Sequence, residues 1–524
     1  MEPIILALAL AFVAGLVVRS IGYPPLLGYL LAGFAASAMD LGSAESLEPI
    51  AEAGILLLLF TIGLKLRIES LTPVYVWGTA LINMAAVIPL TTAVILLVSS
   101  FFPQLAIDSQ QTAWTLAFAL SFSSTVLAVK LFDERGDVTS FYANIAIGIL
   151  VVQDLLAVVY LSVSLASYPS PFAALLLLIP LFRHQIGRLL RAIGHGELLL
   201  LSGVVFALGA AALADFLHVK GGLAALAAGV LLAYSDTRKA KEIHDQLMGL
   251  KNLLLIGFFL QIGYYGFPSV PMIVVAGVLS LLLVLRPLIY FSLLTLFGLR
   301  ARTSYLAGMS LATYSEFGLI VAAVAVTSGT LGVEWVTTLA LAMCLSFFIA
   351  TPLNEKIHFL YRKYQEPLER YERKELLPQE RIESLGDADT VVLGMGRVGR
   401  TAYESLMERT ATKLVGVDEN YGVIGRLREQ GFNCVRGDAA DPDFWQRSKL
   451  QSRKLILVSL SNHQENLAVA HMAQELGCIE RLCVVARFPD EKQQLEELGC
   501  VSFYLYEDTG RDFAEYSQRI ASEH

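Results

Sequence analysis

Long apolar stretches dominate the first two thirds of the chain and stop near Pro352. Thirteen of them are long enough, or nearly so, to cross a bilayer, which takes about 20 apolar residues in a helix. They lie at about 3–18, 24–39, 48–64, 74–102, 112–129, 141–165, 170–182, 197–217, 219–234, 252–268, 270–298, 303–326 and 331–352. The first has no basic region before it, so it is predicted to be a membrane helix rather than a cleaved signal. The pattern predicts a polytopic α-helical membrane domain over residues 1–353, in which the seventh segment is the shortest.

The basic residues between these segments follow the order of the loops. Even-numbered loops hold almost no lysine or arginine, with Lys220 as the exception. The odd-numbered loops hold Arg19; Lys65 and Arg67; Lys130 and Arg135; Arg183, Arg188 and Arg191; Arg238, Lys239 and Lys241; Arg300 and Arg302. Because positively charged loops stay on the cytoplasmic side, this alternation supports thirteen helices, an N-terminus outside and a C-terminal domain in the cytoplasm.

Three pairs of apolar segments resemble each other at a separation of about 190–200 residues. The paired stretches are 24–34 with 221–233, 56–66 with 253–265, and the polar interruptions 121–129 with 312–321. Segments 1–6 would then be repeated as 8–13 with inverted orientation, because seven helices separate equivalent starts. Inverted repeats with broken helices are typical of secondary transporters, whose sites lie where the broken helices cross. The alternative is a likeness of composition, since small residues recur wherever membrane helices pack.

One carboxylate, Asp154, lies near the centre of the sixth segment beside the amide of Gln153. Placing an ionisable group there costs about 2.5–3.5 kcal/mol, which predicts a cation and proton site; the alternative is a structural salt bridge. A carboxylate can hold a proton or help to bind a cation, but not both at once. Further oxygen ligands would come from the hydroxyls of the fifth segment, which otherwise serve helix packing: Ser121, Ser123, Ser124 and Thr125.

Two more charges lie inside apolar segments. Arg286 is expected to face the protein core and to act electrostatically, because a guanidinium does not deprotonate. Glu316 follows Ser315 in the second interruption and would either neutralise helix ends or pair with Arg286, while a second titrating role is disfavoured. Both are predicted to compensate charge at the broken helices.

Composition agrees with a membrane protein and excludes some functions. The chain is 55% hydrophobic and 16% charged, against about 25% charged in soluble proteins. A net charge of −8 without a basic, aromatic-rich patch gives no indication of nucleic-acid binding, and none is expected. The five cysteines form no CxxC pair, so reduced thiols are favoured over a metal site.

The last third has an ordinary soluble composition, with a charged connector over 354–387 and an α/β Rossmann-like domain over 388–524. A β-rich run, 390–393, leads into Gly394, Gly396, Arg397, Val398 and Gly399 and then a helix, and Asp418 follows about twenty residues later at the end of a second predicted strand. Glycines in this context let a pyrophosphate approach the helix N-terminus, and the acid accepts from ribose hydroxyls. The alternative is a Rossmann relic without a ligand. Further strands are predicted at 433–438, 454–460, 481–487 and 501–506. No substrate domain is expected after them, which argues against a dehydrogenase.

These motifs together resemble a known family. The membrane half is similar to the monovalent cation:proton antiporter-2 superfamily, through the pair Gln153-Asp154, the SFSSTVLA helix and the motif Ser315-Glu316-Phe317. The soluble half resembles the KTN (RCK-type) domain, through GMGRVG, Asp418 and the pair Gly437-Asp438. Over nearly its full length the chain is similar to Kef-type potassium/proton antiporters.

The resemblance implies a non-enzymatic transporter in the bacterial inner membrane that exchanges potassium, bound near Asp154, for protons. It further implies a homodimer paired through membrane and KTN domains, with NAD(H) or AMP as a regulatory ligand bound in part by Asp438. Some members are gated by glutathione and carry an acidic inhibitory loop. Here residues 235–247 are mixed and fairly basic, which puts glutathione control in doubt.

Three other functions stay open. A sodium/proton antiporter could use the same scaffold. A KTN-gated cation channel is disfavoured because no TVGYG-like filter is present. A membrane-anchored oxidoreductase is disfavoured by the lack of a catalytic domain.

Overall fold

The structure is a computed structural model that describes residues 2–39, 41, 43–65, 73–107, 109–135, 137, 140–164, 183–217, 221–381, 383–409, 413–506, 509–510, 514 and 517–518. It divides into two compact units. The membrane unit comprises Met1–Ala128, Ile145–Phe297 and Ser304–Tyr371. The Rossmann unit comprises Val129–Asn144, Gly298–Thr303 and Glu372–His524. The boundaries predicted at 353 and 387 stay a prediction.

Helices account for most of the described residues up to Glu369. In chain order they are α1 Glu2–Ser20, α2 Pro25–Ala38, α3 Glu48–Lys65, α4 Val74–Ser99, α5 Gln110–Ala119, α6 Thr125–Arg135, α7 Phe141–Ser164, α8 Arg183–Ile193, α9 Glu197–Phe216, α10 Gly221–Ser235, α11 Thr237–Gly263, α12 Val270–Leu281, α13 Leu285–Leu296, α14 Ala301–Ser310, α15 Glu316–Thr327, α16 Val333–Glu355, α17 Ile357–Lys363 and α18 Gln365–Glu369.

Within the described part of the chain, six helical stretches are long and apolar enough to cross a membrane, and five shorter helices are also apolar. The long ones are Ala44–Leu64, Val74–Ser99, Glu197–Phe216, Thr237–Gly263, Val270–Leu296 and Val333–Glu355. The seventh predicted segment, 170–182, lies outside the described residues. The helical membrane fold is thus confirmed, while the count of thirteen stays a prediction.

Two helices are interrupted where the sequence predicts it. The fifth predicted segment consists of α5 and α6, separated by an irregular stretch over 120–124. The twelfth consists of α14 and α15, separated over 311–315. Clusters of serine and threonine favour such breaks, because their side chains bond to backbone groups that a helix would otherwise use. The predicted pair of broken helices is confirmed.

Glycines let the two repeats pack against each other in equivalent ways. A Cβ on Gly63 of α3 would lie 3.0 Å from the Cα of Gly229 in α10. A Cβ on Gly33 of α2 would lie 2.8 Å from the Cα of Gly263 in α11. Small residues permit such close backbone contact between membrane helices. Since α2 and α3 of one repeat correspond to α10 and α11 of the other, the two crossings are equivalent under the predicted repeat.

One predicted loop is a helix. Residues 237–247, expected to belong to the loop before the tenth segment, form the start of α11, which runs on to Gly263. The Asp236 side chain caps it by accepting from the Lys239 backbone N–H at 3.2 Å. Hydropathy marks where apolar residues begin, whereas a cap and good helix formers decide where the helix begins.

The Rossmann unit contains a six-stranded parallel sheet in the order β3-β2-β1-β4-β5-β6. Its strands are β1 Thr390–Leu393, β2 Leu414–Asp418, β3 Cys434–Arg436, β4 Leu455–Val458, β5 Leu482–Ala486 and β6 Val501–Tyr504. The helices α19 Arg397–Arg409, α20 Tyr421–Glu429, α21 Pro442–Arg447, α22 His463–Glu475 and α23 Pro489–Glu497 alternate with them. All six predicted strands are present. The chain adds strands on one side of β1 as far as β3, and then on the other side from β4 to β6. Ligands of such sheets bind at the carboxyl ends of the strands, at the point between β1 and β4 where the order switches.

Candidate functional site

The two helix breaks of the membrane unit lie side by side. Arg286 donates hydrogen bonds to backbone carbonyl groups at the C-terminal end of the helix that precedes each break. From α13, the buried guanidinium donates to the backbone oxygens of Phe122 at 3.1 Å and of Thr313 at 2.8 Å, and also to that of Leu120. These oxygens follow the C-termini of α5 and α14, where helix dipoles place negative charge. Arg286 therefore lies where a positive charge is stabilising, and its role in charge compensation stays a prediction.

Glu316 lies at the opposite, positively polarised ends. It is the first residue of α15, is 4% exposed, and accepts a hydrogen bond from Ser124 Oγ at 3.1 Å. Ser124 precedes α6 and its Oγ accepts from the Leu127 N–H at 3.2 Å, so it caps that helix. Of the two roles open for Glu316, the geometry favours neutralising helix N-termini, because the three hydrogen bonds of Arg286 go to carbonyl groups.

Asp154 is enclosed beside the first break. It is 1% exposed, and its Oδ2 accepts from the hydroxyl of Thr125 at 3.1 Å. Its Oδ1 is buried and has no hydrogen-bond partner among the described residues. A buried carboxylate oxygen normally has a partner. Asp154 thus has one oxygen available for a proton or a cation.

The remaining predicted ligands have other partners. Gln153 Oε1 accepts from the backbone N–H of Ser123 at 3.0 Å, and its Nε2 donates to the hydroxyl of Tyr290 at 2.9 Å. Ser123 Oγ lies 3.5 Å from the same hydroxyl. Ser121 Oγ donates to the Phe118 carbonyl oxygen at 2.7 Å. Among the predicted cation-site residues, all of which the structure describes, Thr125 is the one that hydrogen-bonds to the Asp154 carboxylate.

Three residues near the breaks were not predicted as part of the site. Tyr290 and Asn83 are fully buried and hydrogen-bonded to each other at 3.0 Å. Thr313 Oγ1 accepts from the Ser124 backbone N–H at 3.2 Å, which ties one break to the other. A search for every polar side chain within the apolar segments would have found Asn83, because an amide is costly there. Tyr290 carries a weaker signal, namely its position four residues after Arg286 on the same helix face.

The glycine-rich turn of the Rossmann unit has the backbone that nucleotide binding requires. Gly394 follows β1 with φ +89°, a conformation that favours glycine. A Cβ on Gly399 would collide with the Gly394 carbonyl oxygen, whereas one on Gly396 would meet nothing within 4 Å. Arg397 and Val398 form the first turn of α19. The turn thus leaves open space at a helix N-terminus, where anions bind.

The two predicted acids of this site have different surroundings. Asp418, the last residue of β2, accepts from the backbone N–H groups of Met395 and Asn420, each at 2.9 Å. Burial raises the pKa of the Asp418 carboxyl, although these two donors lower it. Asp438 accepts instead from Arg302 Nη1 at 2.6 Å. Asp418 adjoins the glycine-rich turn, and Asp438 is bound to the segment Gly298–Thr303.

That segment carries a compact set of charges within the Rossmann unit. Arg300 Nη1 lies 2.6 Å from Asp441 Oδ2, and Arg302 Nε lies 3.6 Å from Asp441 Oδ1. Nearby, Thr303 Oγ1 donates to Glu380 Oε2 at 3.1 Å. Burial raises the pKa of the Glu380 carboxyl to about 7, although the charge of Arg300 lowers it. Sequence alone assigned Arg300 and Arg302 only to a cytoplasmic loop.

Comparison with known proteins identifies both halves of the chain. The family described as "Sodium/hydrogen exchanger, transmembrane" matches residues 8–355, and the TrkA-N domain matches residues 390–503. YbaL of Escherichia coli (strain K12), described provisionally as a cation/proton antiporter, is 27% identical over 530 residues, which cover 94% of this chain and 92% of YbaL.

Two solved structures are also similar. The sodium proton antiporter MjNhaP1 from Methanocaldococcus jannaschii is 16% identical, with a TM-score of 0.43, over 70% of this chain and 96% of that one. The TrkA-N domain of the inner membrane protein YbaL from Escherichia coli is 24% identical, with a TM-score of 0.23, over 25% of this chain and 98% of that domain.

The exchanger match spans well over half of the chain and contains both helix breaks, Asp154 and Arg286. The TrkA-N match spans the six-stranded sheet up to Phe503. The expected combination of a cation/proton antiporter domain with a KTN-type domain is confirmed. The chain therefore belongs to the sodium/hydrogen exchanger family of membrane cation/proton antiporters, and carries a TrkA-N domain after its transmembrane half.

Proposed function

We propose that the chain exchanges potassium for protons at Asp154 and that a nucleotide bound to the Rossmann unit regulates this exchange. The observation that carries the first part is the state of Asp154: it is 1% exposed, and its Oδ1 has no hydrogen-bond partner among the described residues. A charged carboxylate in such a place is costly unless a cation or a proton compensates it. Proton and cation compete for the same oxygen, and this competition couples their fluxes.

The helix breaks give this site its electrostatic setting. Arg286 neutralises the partial negative charge at the helix C-termini of the breaks, and Glu316 neutralises the partial positive charge at the helix N-termini. Asp154 is therefore not needed to compensate the charge of either break. The carboxylate is then available for transport. In the proposed cycle, one helix bundle moves relative to the other and exposes Asp154 to each side in turn.

Sodium is the second candidate cation. The family that matches residues 8–355 is described as a sodium/hydrogen exchanger. Carboxylate and hydroxyl oxygens, such as those of Asp154 and Thr125, are ligands for either ion. Potassium is proposed first because the motifs Gln153-Asp154 and Ser315-Glu316-Phe317 resemble those of potassium exchangers.

Regulation by NAD(H) or AMP is proposed from the Rossmann unit. The open space at Gly396 and the position of Asp418 support pyrophosphate and ribose binding. Asp438, assigned to the nucleotide by resemblance, is bound to Arg302 in the first turn of α14. The same helix leads along the chain to the second break. A nucleotide that takes Asp438 from Arg302 would therefore change the contacts of a helix that ends at the transport site.

The proposed setting is the bacterial inner membrane, with the N-terminus outside and the TrkA-N domain in the cytoplasm, in a homodimer. The alternation of basic loops supports this orientation.

Exchange in proteoliposomes tests the transport proposal. A pH-sensitive dye inside the vesicles reports proton movement on addition of potassium or sodium, with choline as the blank. Asp154→Asn should abolish cation-dependent proton flux, whereas the matched Asp215→Asn, at an exposed carboxylate near the end of α9, should retain it. Normal exchange by Asp154→Asn would disprove the site. A potassium current without proton movement would favour a channel.

A further inference from the structure

Tyr290 is the centre of a buried cluster that also contains Asn83, Gln153 and Ser123. The tyrosine lies on α13, one helical turn after Arg286, and its side chain is completely buried. Its hydroxyl oxygen accepts from Asn83 Nδ2 at 3.0 Å and from Gln153 Nε2 at 2.9 Å, and lies 3.5 Å from Ser123 Oγ. The Tyr290 cluster thus joins α4, α7, α13 and the first helix break.

The hydrogen-bonding capacity of this hydroxyl is used completely. A phenol has two lone pairs and one hydrogen. The amides of Asn83 and Gln153 occupy both lone pairs, which directs the hydrogen to Ser123 Oγ. The side-chain oxygen of Asn83, Oδ1, has no hydrogen-bond partner among the described residues. Tyr290 is therefore the group that orients this amide.

The same hydroxyl fixes the orientation of Gln153. With its nitrogen on Tyr290 and its oxygen on the Ser123 N–H at 3.0 Å, the amide is held at both ends. Its oxygen thus bonds to the unwound backbone at Ser123. Gln153, predicted as a ligand, connects the helix that carries Asp154 to the break.

The Tyr290 cluster is linked to the Asp154 carboxylate in two ways. Gln153 directly precedes Asp154 on α7. Ser123 lies two residues before Thr125, whose hydroxyl donates to Asp154 Oδ2 at 3.1 Å. Loss of the Tyr290 hydroxyl would free the Gln153 amide, release the Ser123 N–H and loosen the segment that positions Thr125.

We propose that Tyr290 is a positioning residue of the cation site, acting through Gln153 and Ser123 on the geometry of Thr125 and Asp154. This rests on the proposed function of Asp154. A cation bound between side chains is sensitive to displacements of well under 1 Å, because preorganised ligands give affinity by avoiding reorganisation. Tyr290 then sets the apparent KM for the cation without contacting it.

Tyr290→Phe tests this, because it removes one oxygen and keeps the ring. Tyr264→Phe is the matched control: its hydroxyl donates to the Leu41 carbonyl oxygen at 2.6 Å, elsewhere in the membrane unit. In the proteoliposome assay, Tyr290→Phe should raise the KM for the transported cation by about five- to tenfold, the effect of one lost hydrogen bond, with a smaller change in kcat. Asn83→Ala should shift KM in the same direction by less, and Tyr264→Phe should leave it within twofold.

A merely structural tyrosine would give a different result. Its removal would lower the unfolding temperature in detergent while KM stayed within twofold of wild type, and that outcome overturns the proposal. Failure of the proposed function is distinguishable, since wild type itself would then show no flux that depends on Asp154. In that case, thermal stabilisation of the detergent-solubilised protein by potassium or sodium replaces KM. Cation stabilisation weakened by Tyr290→Phe supports the positioning role, and equal stabilisation, or none in wild type, overturns it.

Discussion

Replacing Arg286 is the sharpest test of the charge arrangement at the helix breaks. Arg286→Met keeps much of the side-chain volume but removes all donors to the backbone oxygens of Leu120, Phe122 and Thr313. Arg286→Lys keeps the charge but replaces the planar fork with a single ammonium group. The structure predicts that stability falls in the order arginine, lysine, methionine.

The magnitude follows from the three carbonyl groups. Each buried acceptor that loses its donor costs about 1–3 kcal/mol. The full sum is not reached, because removing the guanidinium also removes the cost of burying it, at 2% exposure. For Arg286→Met we expect about 3–5 kcal/mol, the lower part of the range that three unsatisfied buried acceptors would give. For Arg286→Lys we expect about 1–3 kcal/mol, since an ammonium group can reach some of the oxygens.

Thermal unfolding of purified protein in detergent measures the order, and proteoliposome exchange measures the consequence for transport. Arg19→Met, an exposed arginine in the last turn of α1, is the control and should unfold like wild type. If Arg286→Met is as stable as wild type, or more stable than Arg286→Lys, the carbonyl ends do not depend on the guanidinium and the reasoning is refuted.

Three further predictions concern other parts of the chain. Arg302→Gln should tighten NADH or AMP binding to the full-length protein by about tenfold, as calorimetry would show, because Asp438 is released; Arg300→Gln is the control, and equal affinities would contradict competition. The pKa of the Glu380 carboxyl is raised to about 7 in the folded Rossmann unit. It therefore adds to the free energy of unfolding at low pH, and this contribution is lost as the pH rises from about 4.5 through 7. Glu380→Gln should remove this pH dependence, worth at most about 3 kcal/mol, from unfolding curves; an unchanged pH profile would refute it. Gly63→Ala should lower the unfolding temperature, since its Cβ would lie 2.9 Å from the Val230 backbone nitrogen, and overpacking costs about 1–3 kcal/mol; an unchanged temperature would show that α3 and α10 can separate freely.

Much of the fold could be predicted from local sequence patterns. Both helix breaks were predictable because runs such as Ser121–Thr125 favour backbone bonds of their own over a continuous helix. The six strands and the turn at Gly394 were predictable because strand, glycines and helix follow one another within a short stretch. Where the prediction was wrong, at residues 237–247, hydropathy could not distinguish a loop from a polar continuation of α11.

Partners inside the candidate site were less predictable. Gln153 was expected to help bind the cation, which stays a prediction; its hydrogen bonds to Ser123 and Tyr290 were not foreseen. The costly carboxylate thus marked the candidate site from sequence, and its role stays a prediction, while the partners of its neighbours depended on which hydrogen-bonding groups lay within reach.

The sequence by itself determined which segments are apolar enough to enter a membrane, where two of them break, and that Asp154 needs a compensating partner, because each property depends on neighbouring residues and on the cost of polar groups in lipid. Tertiary structure decided which polar groups meet. Asn83 and Tyr290 are 207 residues apart in sequence, and Arg286 is 166 residues from Leu120. Such pairs depend on the angles and distances at which helices cross, and those are set by packing across the whole unit, including the close contact of Gly63 with Gly229.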